Sequence, residues 1–132
     1  TTISPWVVPL EALEFCRVPT GTQDPEPLPY LQGDDEGFYD IQLDVAIQGP
    51  KMKAPHVVGQ SNMRNLYWTM AQQLAHHSVG GCNIRPGDLM ASGTISGSEP
   101  ESYGSMLELA WRGTKPVQMP DGAERKLSQD GD

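Results

Sequence analysis

Between residues 38 and 48 the chain alternates: Ile41, Leu43, Val45 and Ile47 are apolar, while Gln42, Asp44 and Gln48 are polar. A period of two buries one face of a strand and wets the other, so a strand is predicted over 38–48, ended by Gly49 and Pro50. From residue 61 the period changes. Met63, Leu66, Tyr67, Met70 and Leu74 recur at i, i+3, i+4 and i+7, which predicts a helix over 61–77 with one apolar stripe. Ser61 or Asn62 would be its N-cap, and Gly80-Gly81 its stop.

The flanking text is shorter in period. Residues 2–8 are rich in β-branched and aromatic types and predict a strand cut off by Pro9, which would open a short helix containing Leu10, Leu13 and Glu14. Residues 18–37, rich in proline and acid, predict a loop. Towards the C-terminus a short strand is predicted over 88–92, a loop over 93–104 and a strand over 105–111. A strand, turn and strand follow, with Pro120-Asp121-Gly122 as the turn. The fold class is mixed α/β, β-rich, with one substantial helix.

Composition adds limits. The 14 glycines and 12 prolines make up about a fifth of 132 residues, against roughly 12% on average, which suits a turn-rich fold of short strands. The length is that of one domain able to bury a sizeable core. A net charge of −8 and a pI near 4.7 repel phosphate backbones, and Lys and Arg form no basic stripe, so nucleic acid is excluded as a partner. No apolar run is long enough to span a membrane. Cys16 and Cys82 form no CxxC pair and read as reduced, apolar core residues of a cytoplasmic protein. The chain opens without methionine on TTISPWVV and stops on SQDGD, and is expected to be part of a longer polypeptide, truncated at both ends.

Candidate chemistry centres on Glu108. In the predicted strand over 105–111, Leu107, Leu109 and Trp111 face one way and Met106, Glu108 and Ala110 the other. Both faces are mostly apolar, so the carboxylate is expected to be covered, and such a group is either paired structurally or used as an acid, a base or the orienter of a base. The loop before it carries Gly93, Gly97 and Gly104, which allow close backbone approach, and Ser92, Thr94, Ser96, Ser98 and Ser105, which supply hydroxyls. It reads as the lip of a small-molecule site. The text GTISG is not a G-x-S-x-G elbow, so serine nucleophile chemistry is rejected. His76-His77 point about 100° apart on a helix and do not share an ion easily. Asp34, Asp35 and Glu36 read as a solvated acidic turn.

The text HHSVGGCNIRPGDLMASGTISGSEPESYGSMLELAWRGTKP, with SNMRNLYWTMAQQLA before it and TTISPWVVPLEAL and DPEPLPYL upstream, resembles the C-terminal catalytic domain of the fumarylacetoacetase family. The resemblance covers both ends of the chain; the region 32–60, its strand apart, is less diagnostic. It implies part of a mixed β-sandwich roll, a cytoplasmic homodimer, and hydrolysis of a carbon–carbon bond in a diketo acid to fumarate and acetoacetate, the last step of tyrosine and phenylalanine breakdown. It also implies a divalent cation, Mg2+ or Ca2+, on the substrate oxygens.

Three positions carry over by resemblance. Glu108 matches a glutamate that orients a catalytic histidine, Thr94 a substrate-binding threonine, and Thr1 a threonine at the magnesium site. The family's water-activating histidine, its acidic metal ligands and its oxyanion-site arginine, glutamine and lysine would precede Thr1. His56, His76 and His77 do not sit in the matching motif, so the chain alone is expected to be inactive. The alternatives are a related hydrolase acting on another diketo acid, acylpyruvase-like, and a non-catalytic acidic interaction domain.

Overall fold

The alternating stretch forms strand, but in two pieces. In the computed structural model, which describes residues 3–33 and 37–132, β1 (Arg17–Val18) pairs antiparallel with β2 (Phe38–Tyr39), and β3 (Gln42–Ile47) pairs antiparallel with β4 (His56–Asn62). The break falls at Asp40-Ile41, where the chain leaves one two-stranded sheet and enters the next. The register of β3 on β4 shifts between Val45 and Ala46, which pair with Gly59 and Val57 and leave Val58 as the bulged residue. The alternation holds at Leu43, half-buried, and Ile47, buried, while Val45 beside the bulge is exposed.

The long helix predicted over 61–77 is corrected. Ser61 and Asn62 complete β4 opposite Leu43 and Gln42, and the helix α1 begins only at Met70, running Met70–Val79. Between them Met63–Asn65 make a single 3-10 turn, for which Asn62 is the cap: its side chain accepts from the Arg64 N–H at 3.0 Å. The cap of α1 is Thr69, which accepts from the Gln72 N–H while the Gln72 amide oxygen accepts from the Thr69 N–H, a reciprocal capping box. Gly80 ends it as expected. Its predicted stripe does not face inward: Met70 and Leu74 are exposed, and it is Gln72 that faces Leu31 and Gln23.

Other predictions divide. Residues 3–9 form no strand, because no second strand lies beside them among the described residues to take up their backbone groups, and Trp6 and Val7 are 85% and 89% exposed. Leu10–Cys16 do form a short helix after Pro9, of the 3-10 type. Residues 88–92 are irregular. The C-terminal hairpin is present as β5 (Val117–Gln118) and β6 (Glu124–Arg125), with its turn closed by Gly122 N–H to the Met119 carbonyl at 2.9 Å. The acidic turn at Asp34, Asp35 and Glu36 lies outside the described residues.

The buried apolar residues among those described are few: Leu31, Phe38, Tyr39, Ile47, Ala110 and Met119. The sizeable core that the length permits is therefore not assembled within this chain, and Phe15, Leu89 and Leu127 remain on the surface. The architecture is a small mixed α/β arrangement of short antiparallel sheets. No helix among the described residues is long and apolar enough to cross a membrane.

Candidate functional site

Glu108 does not sit in a strand. The predicted strand over 105–111 is the one-turn helix α2 (Met106–Leu109), with Ser105 as its N-cap. The sequence Ser105-x-x-Glu108 is a helix-start pattern, and the serine oxygen accepts the Glu108 N–H at 3.3 Å. The chain then turns through left-handed backbone at Trp111, Arg112 and Gly113, with φ of 47°, 55° and 79°. Ala110 is fully buried behind it.

The Glu108 side chain is half-buried and held by two hydroxyls. Ser105 Oγ donates to Oε2 at 2.7 Å, and Ser96 Oγ lies 2.9 Å from both carboxylate oxygens. Ser96 in turn accepts the Gly104 N–H at 3.0 Å, tying the two ends of the 93–104 loop together. Among the described residues Glu108 makes no ion pair.

That loop folds over the β3–β4 hairpin. Gly59 in β4 lets it approach: a methyl group there would stand 2.7 Å from the Tyr103 carbonyl oxygen. The two elements enclose a groove of about 470 Å³, lined by Gln42, Asp44, Ser61, Thr94, Tyr103 and Gly104 among others. Thr94 lines this groove. Gly104 is pressed against it, since a methyl group at 104 would lie 2.5 Å from the Ile95 carbonyl oxygen and 2.8 Å from Thr94 Cγ2. Glu108 does not line the groove and connects to it through Ser96 and Gly104. Asp44, which accepts from Gln42 and Gln60 at 3.1 and 3.2 Å, is a groove carboxylate that sequence reasoning passed over. Its only signal was its place on the polar face of the alternating strand.

The remaining candidates separate. Thr1 lies outside the described residues. His76 Nδ1 is 3.0 Å from the Tyr30 hydroxyl and its ring stacks on that of Tyr30, whereas His77 Nε2 is 3.2 Å from Cys82 Sγ, so the two rings serve different partners. His56 opens β4 opposite Ile47. Cys16 is half-buried, but Cys82 is exposed beside His77, which corrects its reading as a core residue. Among the described residues no three His, Cys, Asp or Glu side chains converge to hold a metal ion.

A second carboxylate is held in a contrasting way. Asp132 meets Arg125 through Nε at 2.8 and 3.1 Å and Nη2 at 2.8 Å, both side chains being almost wholly covered. The guanidinium hydrogen bonds, helped by the Gln129 N–H, hold the Asp132 carboxyl below its ordinary range, and Asp132 raises Arg125.

Known proteins resemble this chain along its whole length. The family described as "Fumarylacetoacetate (FAA) hydrolase C-terminal" matches residues 1–132. The chain is similar to the fumarylacetoacetase of Homo sapiens, 57% identical over 132 residues, which is 100% of this chain and 32% of that protein. It is likewise similar to those of Dictyostelium discoideum (53%) and Arabidopsis thaliana (52%), each over 134 aligned residues, covering 100% of this chain and 31% of theirs. The chain spans about a third of the length of these curated relatives. With the whole of its length matched, the chain belongs to the fumarylacetoacetate hydrolase C-terminal family.

Proposed function

We propose that this chain is one part of a longer hydrolase that cleaves a carbon–carbon bond in fumarylacetoacetate, giving fumarate and acetoacetate at the end of tyrosine breakdown. The observation that carries the reading is the Glu108 carboxylate, held by neutral donors beside a groove that Thr94 lines. A carboxylate of this kind accepts the N–H of an imidazole, fixes its tautomer and stabilises the imidazolium formed when it takes a proton from water. The histidine itself would come from outside the chain, as would most of the substrate contacts, with Thr94 contributing one wall. The apolar surface left open at Trp6, Phe15 and Leu89 supports the same reading, because the remainder of a longer protein would cover it.

A divalent cation, Mg2+ or Ca2+, belongs to the proposal as a Lewis acid for the substrate oxygens. The described residues of this chain do not fit such an ion by themselves, and Thr1 is the one position here assigned to it. The proposal further includes a share in a mixed β-sandwich roll, a homodimer and a cytoplasmic location.

The test is loss of the diketone ultraviolet absorbance of fumarylacetoacetate, followed with this 132-residue chain and with the full-length protein, with and without chelator. Turnover by the full-length protein alone, abolished by chelator, is the expected result. Turnover by the short chain would show that His56, His76 or His77 acts. Faster turnover of acylpyruvates than of fumarylacetoacetate would move the assignment to the acylpyruvase-like hydrolases, and no turnover of either would favour an interaction domain.

A further inference from the structure

We propose that Ser96 and Ser105 are positioning residues: they aim the Glu108 carboxylate and leave its charge free for the group it orients. The inference rests on the reading of Glu108 given under Proposed function.

Each serine hydroxyl has one proton to give and lone pairs with which to accept. Both oxygens already accept a backbone N–H, from Gly104 at Ser96 and from Glu108 itself at Ser105. A carboxylate can only accept, so both hydroxyl protons turn to it while each serine oxygen keeps its backbone partner. Ser105 reaches Oε2 from the helix cap, and Ser96 reaches both oxygens from the loop, twelve residues earlier in the chain. Two anchors on separate elements fix the plane of the carboxylate, which one anchor would leave free to swing.

The chemistry of the donors matters as much as their number. A carboxylate offers about four acceptor sites, and two hydroxyls leave room for a further N–H. Being neutral, they orient the group without cancelling its charge, whereas a guanidinium would fill the sites and pair the charge together. Among the described residues no cation has been put in the serines' place. GTISG is therefore not a nucleophile motif but carries a working serine all the same, with Thr94 on the groove and Ser96 on Glu108.

The experiment is a double-mutant cycle in the full-length protein, reading kcat and KM for fumarylacetoacetate and the melting midpoint of each variant. Ser96→Ala is expected to lower kcat about ten-fold, the lower end of what loss of an outer orienting partner costs, with KM changed less than about two-fold. In a Glu108→Gln background the same substitution is expected to cost less than about two-fold, because residues that act as a unit are not additive. Ser105→Thr, which keeps the hydroxyl, is expected to retain kcat where Ser105→Ala loses it; this pair carries the test should Ser96→Ala fail to fold. Equal losses from Ser96→Ala in both backgrounds, or a raised KM with kcat intact, would overturn the proposal and leave the Glu108 reading standing. Full activity of Glu108→Gln would remove that reading, and the proposal with it.

Discussion

Glu108 and Asp132 are carboxylates of one small chain, both drawn out of water and both hydrogen-bonded, yet they are built for opposite ends. Asp132 is gripped by the Arg125 guanidinium and a backbone N–H, so its charge is paired and its acceptor sites are filled. Among the described residues the Glu108 carboxylate meets the hydroxyls of Ser96 and Ser105 and no cation. A cation spends a carboxylate on structure, while neutral donors hold it in place and leave its charge for another partner. The difference gives a working criterion for telling a structural acid from a functional one, namely the formal charge of whatever holds it.

Glu108→Asp keeps the charge and withdraws it by one methylene from the serines. If position matters as well as charge, kcat in the full-length protein falls about 100-fold, the loss that a misplacement near 1 Å can bring. Steady-state kinetics checks this, and an unchanged kcat would mean that charge alone suffices. Gly104→Ala attacks the link between groove and carboxylate, because the added methyl meets the Ile95 carbonyl and Thr94. It is expected to raise KM and to cost about 1–3 kcal/mol of stability, as overpacking does, seen in kinetics and a denaturant titration. Thr69→Ala lies away from both carboxylates and serves as their control: loss of the α1 capping box is expected to cost about 1 kcal/mol with kcat unchanged.

The smallest effect is one of pH. The Arg125 guanidinium and the Gln129 N–H hold the folded Asp132 pKa below its ordinary value of 3.8, so the folded state binds fewer protons than the unfolded state in acid. Its contribution is present in full above that value and disappears as pH falls through the depressed one. The difference in melting midpoint between wild type and Asp132→Asn should accordingly be constant near neutrality and shrink in acid; a difference that grew on acidification would contradict the ion pair.

The sequence made some of this legible and obscured the rest for physical reasons. The period of two located β3, and Pro120-Asp121-Gly122 located the last hairpin, because alternation and turn chemistry are local signals. The helices were misplaced where apolar spacing was weighed above caps. Thr69-x-x-Gln72 and Ser105-x-x-Glu108 both carry the start pattern, and both mark where a helix begins. The apolar stripe from Met63 to Leu74 instead ran across a 3-10 turn, an irregular link over 66–69 and the first turns of α1. A bulge at Val58 and a carboxylate clamp between residues 96 and 108 depend on pairing across the chain, which spacing does not encode.

The most direct test of the account sets the two carboxylates side by side. In the full-length protein, kcat/KM for fumarylacetoacetate is measured for Glu108→Gln and Asp132→Asn, with the melting midpoint of each. Glu108→Gln is predicted to lose about 100-fold or more, equivalent to about 2.7 kcal/mol of transition-state stabilisation, at a nearly unchanged midpoint. Asp132→Asn is predicted to lower the midpoint and keep its activity. Full activity in Glu108→Gln, or equal activity losses in the two variants, would contradict the claim that Glu108 is the acid reserved for chemistry.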